Sequence, residues 1–357
     1  MIALEVSSAA GRPPHGGIGG AIRHIVSELL RLDPDTLYDL CYRLSRWRKG
    51  HLFRPSAPNA RLRIIQDPLN AVLLSGDRIL HSMGIYLPRT PRIPKLVTVH
   101  DLNAVRNVQW VRPEWHERRS QRIREAVGRA DHVVTYSAFT ADEVREEYRL
   151  PDDRVHPVLL GVDSQVFCPP TRETLARVRS EHGDYVISIG LITARKNFES
   201  LVRAVEPIEG LGLILVGRAA DADSAVQRTI RETRMEKRVT RMDNVSQQEL
   251  VALIGAAHAC VVPSLYEGFG LTVLEAMGCG TPVVCSQAAS LPEAAGDAAL
   301  LVDASDLEAL GSGIRSIVED NELAAQLREL GLARAREMSW SASARNLRAL
   351  YRQVADI

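Results

Sequence analysis

Apolar positions in this chain switch between two spacings. Short, nearly unbroken apolar runs recur at Ile2 to Ser7, Arg78 to His81, Lys95 to Val99, Asp131 to Tyr136, Arg154 to Leu160, Tyr185 to Gly190, Leu213 to Gly217, Val283 to Cys285 and Ala298 to Val302. Runs of this length predict strands, and those without polar alternation are buried on both faces, as in a parallel sheet. Between them the spacing becomes helical. Ile22, Ile25, Val26, Leu29 and Leu30 share one helix face, and Phe198, Leu201, Val202 and Val205 share another. A further helix runs from Leu271 to Met277, and Ala344, Leu347, Leu350 and Tyr351 mark a final amphipathic one. Strands alternating with helices predict an α/β fold.

A chain of 357 residues exceeds one ordinary core, so two domains are expected. The run at Tyr185 to Gly190 restarts the strand, glycine and helix order that opened at Ile2, and Phe167-Cys168-Pro169-Pro170 reads as a connection between the halves. Composition is that of a soluble globular protein, with 45% hydrophobic and 25% charged residues. Charge balances at 44 Lys and Arg against 44 Asp and Glu, yet residues 1–170 carry 24 against 19 and the remainder 20 against 25. A mildly basic first half is either scatter or a surface for a phosphate-bearing acceptor or membrane. Five cysteines in odd number, with no Cys-x-x-Cys pair, fit reduced thiols and a cytoplasmic setting. No run of about 18 apolar residues occurs, so no membrane span is indicated. A nucleic-acid partner is not expected.

Candidate chemistry lies where strands meet loops. The loop from Gly11 to Gly20 follows a strand and precedes a helix, but it fails as a dinucleotide fingerprint because Ile22 stands where a third glycine belongs. Between Leu40 and Pro55, Arg43, Arg46, Arg48, Lys49 and Arg54 interleave with Tyr42, Leu44, Trp47, Leu52 and Phe53. That mixture suits a lipid headgroup surface, an anionic acceptor, or simply a solvated face over packed aromatics. His100 sits at the carboxyl end of a strand, where ligands of parallel sheets collect. Arg195 and Lys196 stand together ahead of a helix whose amino end already carries partial positive charge, a conflict that an anion would resolve. Asp221-Ala222-Asp223 is short enough to arise by chance and reads as a solvated loop rather than a metal site.

The richest stretch runs from Tyr266 to Val284. Glu267, Gly268, Phe269 and Gly270 lead into a helix beginning with Leu271 and Thr272, and a second carboxylate, Glu275, lies within that helix. Free amides at such a helix start favour phosphate or sugar oxygens. Gly278, Gly280 and Pro282 end the helix before the next strand.

This block, a Glu, seven residues and a Glu closed by Gly-Thr-Pro-Val-Val, resembles the carboxy-terminal signature of retaining nucleotide-sugar glycosyltransferases of family 4 (glycosyl transferases group 1), mannosyltransferase-like among them. The resemblance is strong over residues 185–302 and weak over 40–95. It implies the GT-B fold: two Rossmann-like domains facing across a cleft, with the C-terminal helix crossing back to the first. The expected divisions are 1–167 for an acceptor-binding domain, 168–340 for a nucleotide-sugar-binding domain and 341–357 for the returning helix.

By the same resemblance, Glu267 meets donor-sugar hydroxyls and Glu275 the ribose. Arg195 and Lys196 face the diphosphate, as do the amides of Gly16 and Gly17. His100 sits beside the donor sugar, and the backbone near Val245 meets the base, although Met242-Asp243-Asn244 stands where a glycine is usual. Gly268, Phe269, Gly270, Leu271 and Thr272 complete the donor site, with no metal and no cofactor beyond the donor, GDP-mannose or a UDP-sugar. The implied activity is metal-independent transfer of a hexose, mannose for preference, to a hydroxyl of a glycan, glycolipid or small-molecule acceptor, with retention at the anomeric carbon. The setting is the cytoplasm, with peripheral contact at the inner face of the membrane. Alternatives are a sugar-nucleotide epimerase of the same fold and a non-catalytic nucleotide-sugar-binding protein.

Overall fold

The computed structural model describes residues 1–355 apart from 12–16, 49–51, 68, 71–73, 75, 90–92 and 112. Two compact units account for the chain, one comprising Met1–Leu160 with Trp340–Ile357 and the other Gly161–Ser339. The first division therefore falls between Leu160 and Gly161 rather than at 167, and Trp340 already belongs to the returning helix.

The first unit is built on a seven-stranded parallel sheet. Its strands are β1 (Ile2–Glu5), β2 (Tyr38–Arg43), β3 (Ala60–Ile65), β4 (Ile79–Ser82), β5 (Lys95–Val99), β6 (His132–Thr135) and β7 (Val155–Pro157). Their spatial order is β3-β2-β1-β4-β5-β6-β7, so the chain reverses its direction of travel across the sheet between β1 and β4. Leu80, Val97, Val99 and Val133 form the core beneath one face.

Strands β2 and β3 carry charges that the apolar pattern does not predict. Asp39 is fully buried in β2, and Arg61 and Arg63 of β3 each bring a guanidinium nitrogen to 2.8 Å from its carboxylate. A buried carboxylate needs such partners, and the arginines supply them across one strand pair.

The last helix, Trp340–Ala355, packs on the helix Gly17–Leu32, with Trp340 stacked on His24 at 5.1 Å and Arg348 ion-paired to Asp33 at 2.9 Å. Its Tyr351 hydroxyl lies 2.6 Å from His81 Nδ1, and the other ring nitrogen of His81 lies 2.8 Å from the Thr98 hydroxyl. Fully buried, His81 is held neutral, with its pKa lowered to about 3 by burial and then by nearby His100.

The second unit repeats the plan with six parallel strands: β8 (Tyr185–Ile189), β9 (Gly212–Val216), β10 (Val239–Met242), β11 (Cys260–Val262), β12 (Val283–Ser286) and β13 (Leu300–Val302). Their order is β10-β9-β8-β11-β12-β13, so the reversal falls between β8 and β11. Val186, Leu213, Leu215, Val261 and Val284 fill the core under the helices Phe198–Val205 and Leu307–Glu319. No helix among the described residues is long and apolar enough to cross a membrane.

Candidate functional site

In an open parallel sheet, the strand order reverses at a point where loops diverge to opposite faces and leave a crevice beyond the strands' carboxyl ends. In the second unit that point lies between the loops after β8 and β11, and both deliver charged residues to it. After β8 the chain passes Gly190 and forms a short turn at Ala194–Lys196, ahead of the helix Phe198–Val205. After β11 it passes Ser264 to Gly270 and enters the helix Leu271–Gly278.

Two glycines allow the first loop to pack. Gly217, at φ +156°, crosses Gly190 so closely that a Cβ would lie 1.8 Å from the Gly190 carbonyl oxygen. Gly190, at φ +149°, leaves room for Lys196, whose Cε would lie 3.0 Å from an added Cβ. These φ values are open to glycine at little cost and strained for any other residue.

The turn aims both cations at one carboxylate. Arg195 donates from Nη1 to Glu267 Oε2 at 2.9 Å and to the Tyr266 carbonyl at 2.8 Å. Lys196 donates to Glu267 Oε1. The Ser290 hydroxyl donates to the Glu267 carbonyl at 2.7 Å, fixing the loop from behind. Burial alone would push the Glu267 carboxyl up, but Lys196 and Arg195 overcome it and hold its pKa at about 2. Glu267 is thus an anion across the physiological range, and the anion that the adjacent cations call for is, in this state, a carboxylate of the protein itself.

Glu275 differs. It lies partly buried in the helix Leu271–Gly278, and no hydrogen bond to its carboxylate is found among the described residues. Burial raises its pKa to about 7, opposed by Lys196. Lys196 therefore acts on both acids, and Glu275 is an acceptor without a donor beside a helix start formed by Gly270, Leu271 and Thr272. Gly268 adjoins Glu267 on this loop, while Phe269 is buried and contributes backbone rather than side chain to any ligand surface.

The departure near Val245 has a local explanation. Asn244 adopts φ +56°, the left-handed conformation that glycine would supply, and asparagine is among the residues best suited to it. Val245 itself is half-buried, just ahead of Ser246, which caps the helix Gln247–Ala256. Asp223 pairs with Arg241 and accepts from Gln227, which gives the Asp-x-Asp loop a structural role.

In the first unit, His100 follows β5, with its ring 5.1 Å from that of Tyr136. Burial first, then the charge of Arg119, lowers its pKa to about 3, and neither ring nitrogen finds a hydrogen-bond partner among the described residues. His100 is accordingly a neutral imidazole with both nitrogens unsatisfied, not a cation. Gly17 begins the helix Gly17–Leu32, and Gly16 lies outside the described residues. Between β2 and β3, the aromatics are packed rather than presented to solvent: the Tyr42 hydroxyl donates to the Phe53 carbonyl, Arg23 covers Phe53 and Arg54 covers Trp47. Lys49 is likewise outside the described residues.

Two family profiles match this chain, Glycosyl transferases group 1 over residues 173–334 and Glycosyltransferase Family 4 over residues 20–166. The O-antigen chain mannosyltransferase B of Escherichia coli is 32% identical over 278 residues, which span 74% of this chain and 71% of that protein. The chain belongs to the group 1 glycosyl transferases. Sucrose-phosphate synthase from Thermosynechococcus elongatus superposes with a TM-score of 0.81 at 24% identity, covering 99% of this chain and 98% of the other. Anabaena HepE, solved with UDP and glucose, superposes with a TM-score of 0.74 at 16% identity, covering 99% of each. These glycosyltransferase folds share the two Rossmann-like parallel-sheet units described above, which is the GT-B fold.

Sequence reasoning missed several residues of this group 1 site. Ser290 carries no pattern of its own, because a hydroxyl behind a loop leaves no periodic trace. Gly217 was visible as the end of a strand, but its crossing over Gly190 is a tertiary fact.

Proposed function

We propose that the protein transfers a hexose from a nucleoside diphosphate sugar to an acceptor hydroxyl, retaining the anomeric configuration and using no metal. The carrying observation is the arrangement of Arg195 and Lys196 about Glu267 at the second unit's reversal point, with Glu275, whose carboxylate has no hydrogen-bond partner among the described residues, on the helix that follows. Two cations face one carboxylate, so one positive charge remains for a departing diphosphate, and the helix start at Gly270 to Thr272 adds amide donors. Glu267 holds the sugar through hydroxyls that donate to its carboxylate, and Glu275 accepts from the ribose.

In the transfer, the acceptor oxygen bonds to the anomeric carbon as the bond from that carbon to the diphosphate oxygen breaks. The hydroxyl proton leaves on the departing diphosphate. Retention through a carboxylate nucleophile would need two acids about 5 Å apart acting on the sugar. With Glu275 assigned to the ribose, attack assisted by the leaving phosphate is the step that fits. The relation to an O-antigen mannosyltransferase favours GDP-mannose as donor, with UDP-sugars as its competitors.

The test is a panel of GDP-mannose, UDP-glucose, UDP-N-acetylglucosamine and dTDP-sugars, with chelator present, scored by thermal stabilisation and nucleotide release. Stabilisation by one donor with slow, chelator-insensitive release is expected. Stabilisation by none would refute a transferase.

A further inference from the structure

A cavity of about 340 Å³ lies at the end of the first unit's sheet opposite to His100. Such a volume suits a small molecule. It is lined by Ile2 at the start of β1, by Asp33 and Thr36 on the connection from the helix Gly17–Leu32 to β2, and by Arg348, Tyr351 and Arg352 of the helix Trp340–Ala355. In parallel sheets the reacting groups gather at the carboxyl ends of the strands, and this cavity is at the amino ends.

Positions 348, 351 and 352 are three and four residues apart, so they share one face of the returning helix. Two guanidiniums at that spacing repel each other unless an anion lies between them. Asp33 is the only carboxylate among the described lining residues, and both its oxygens are taken. Its Oδ1 accepts from Arg348 Nη2 at 2.9 Å, and its Oδ2 accepts from the Tyr38 hydroxyl at 3.1 Å. Asp35, two residues on, is exposed and outside the lining.

Donor capacity is left over. Arg348 Nε is buried with no hydrogen-bond partner, and Arg352 is exposed and forms no ion pair among the described residues. A buried donor left unsatisfied costs free energy that an arriving acceptor recovers. Two guanidinium forks against one occupied carboxylate leave one positive charge, with a geometry that suits a compact oxyanion. Thr36 brings a hydroxyl, and Ile2 and Tyr351 bring apolar surface, to the same cavity.

We propose that this cavity binds a small metabolite through a compact oxyanion, phosphate or carboxylate, held between Arg348 and Arg352. The ligand joins residues 33–36 to the returning helix and stabilises the first unit, acting as an effector and not as a substrate. None of the residues that hold it belongs to the second unit, so the site does not depend on the transferase reading.

The test is calorimetric titration of the full chain at low salt, with inorganic phosphate in one arm and malonate in the other. Each arm is repeated with Arg352→Gln, Arg352→Lys and Lys196→Ala. Binding with a Kd below about 1 mM in at least one arm is expected, weakened at least about tenfold in Arg352→Gln, partly kept in Arg352→Lys and unchanged in Lys196→Ala, and the stronger arm names the oxyanion. The bound anion should also raise the midpoint of thermal unfolding, and less so in Arg352→Gln, while the anion-free midpoints of the Arg352 variants match the unsubstituted chain. No binding below about 1 mM in either arm, or binding that survives Arg352→Gln and is lost in Lys196→Ala, overturns the proposal.

Discussion

Replacing Glu267 with glutamine separates the two roles assigned to that residue. The carboxyl is held at a pKa of about 2 against an ordinary 4.5, a shift that linkage converts to about 3 kcal/mol of stability at neutral pH. An exposed ion pair would contribute no more than about 1 kcal/mol. The sign follows from the direction of the shift: the contribution is complete above pH 4.5 and is lost as the pH falls toward 2. Glu267→Gln should therefore lower stability by about 3 kcal/mol at pH 7, measured by urea unfolding of the second unit's transition, and the gap to the unsubstituted protein should narrow steadily below pH 4.5. Because the substitution also frees Arg195 and Lys196, nucleoside diphosphate without sugar should bind at least as tightly as before, while sugar transfer and donor hydrolysis both fall. Equal stability at pH 7, or a gap that does not narrow in acid, would refute the reasoning.

Other outcomes are equally specific. Lys196→Ala should lower kcat/KM by about 100- to 1,000-fold, the usual cost of one preorganised group facing developing charge, read from steady-state transfer. Glu275→Gln should be as stable as the unsubstituted chain near pH 4 and more stable near pH 8, because a carboxyl raised to about 7 costs stability as it ionises; its nucleotide affinity should fall, both read by pH-dependent unfolding and calorimetry. Gly217→Ala should cost about 2–4 kcal/mol and weaken nucleotide binding, since its Cβ would displace Gly190 and with it Lys196, checked by thermal unfolding with and without donor. Tyr351→Phe should cost about 1–3 kcal/mol by leaving buried His81 Nδ1 without its partner, read from urea unfolding of the first unit.

Much of the fold was legible because parallel strands buried on both faces leave apolar runs, and β1, β5, β6, β8 and β9 all show one. Strands β2 and β3 were not, since Asp39, Arg61 and Arg63 break the run with charges that cancel only once the strands pair. Within the candidate site, Glu275, Arg195 and Lys196 were legible as residue types at odds with their surroundings, and Glu267 through its spacing from Glu275 and the resemblance. What the sequence could not convey is that Lys196 pairs with Glu267 while its charge also acts on Glu275, or that Asn244 stands in for a glycine through its left-handed backbone.

The most direct measurement is calorimetric titration of GDP-mannose and UDP-glucose into the unsubstituted chain and into the Arg195→Ala/Lys196→Ala double variant. The account predicts one site for one of the two donors, with affinity reduced at least about 100-fold in the double variant. Donor binding of equal strength in both proteins would contradict it.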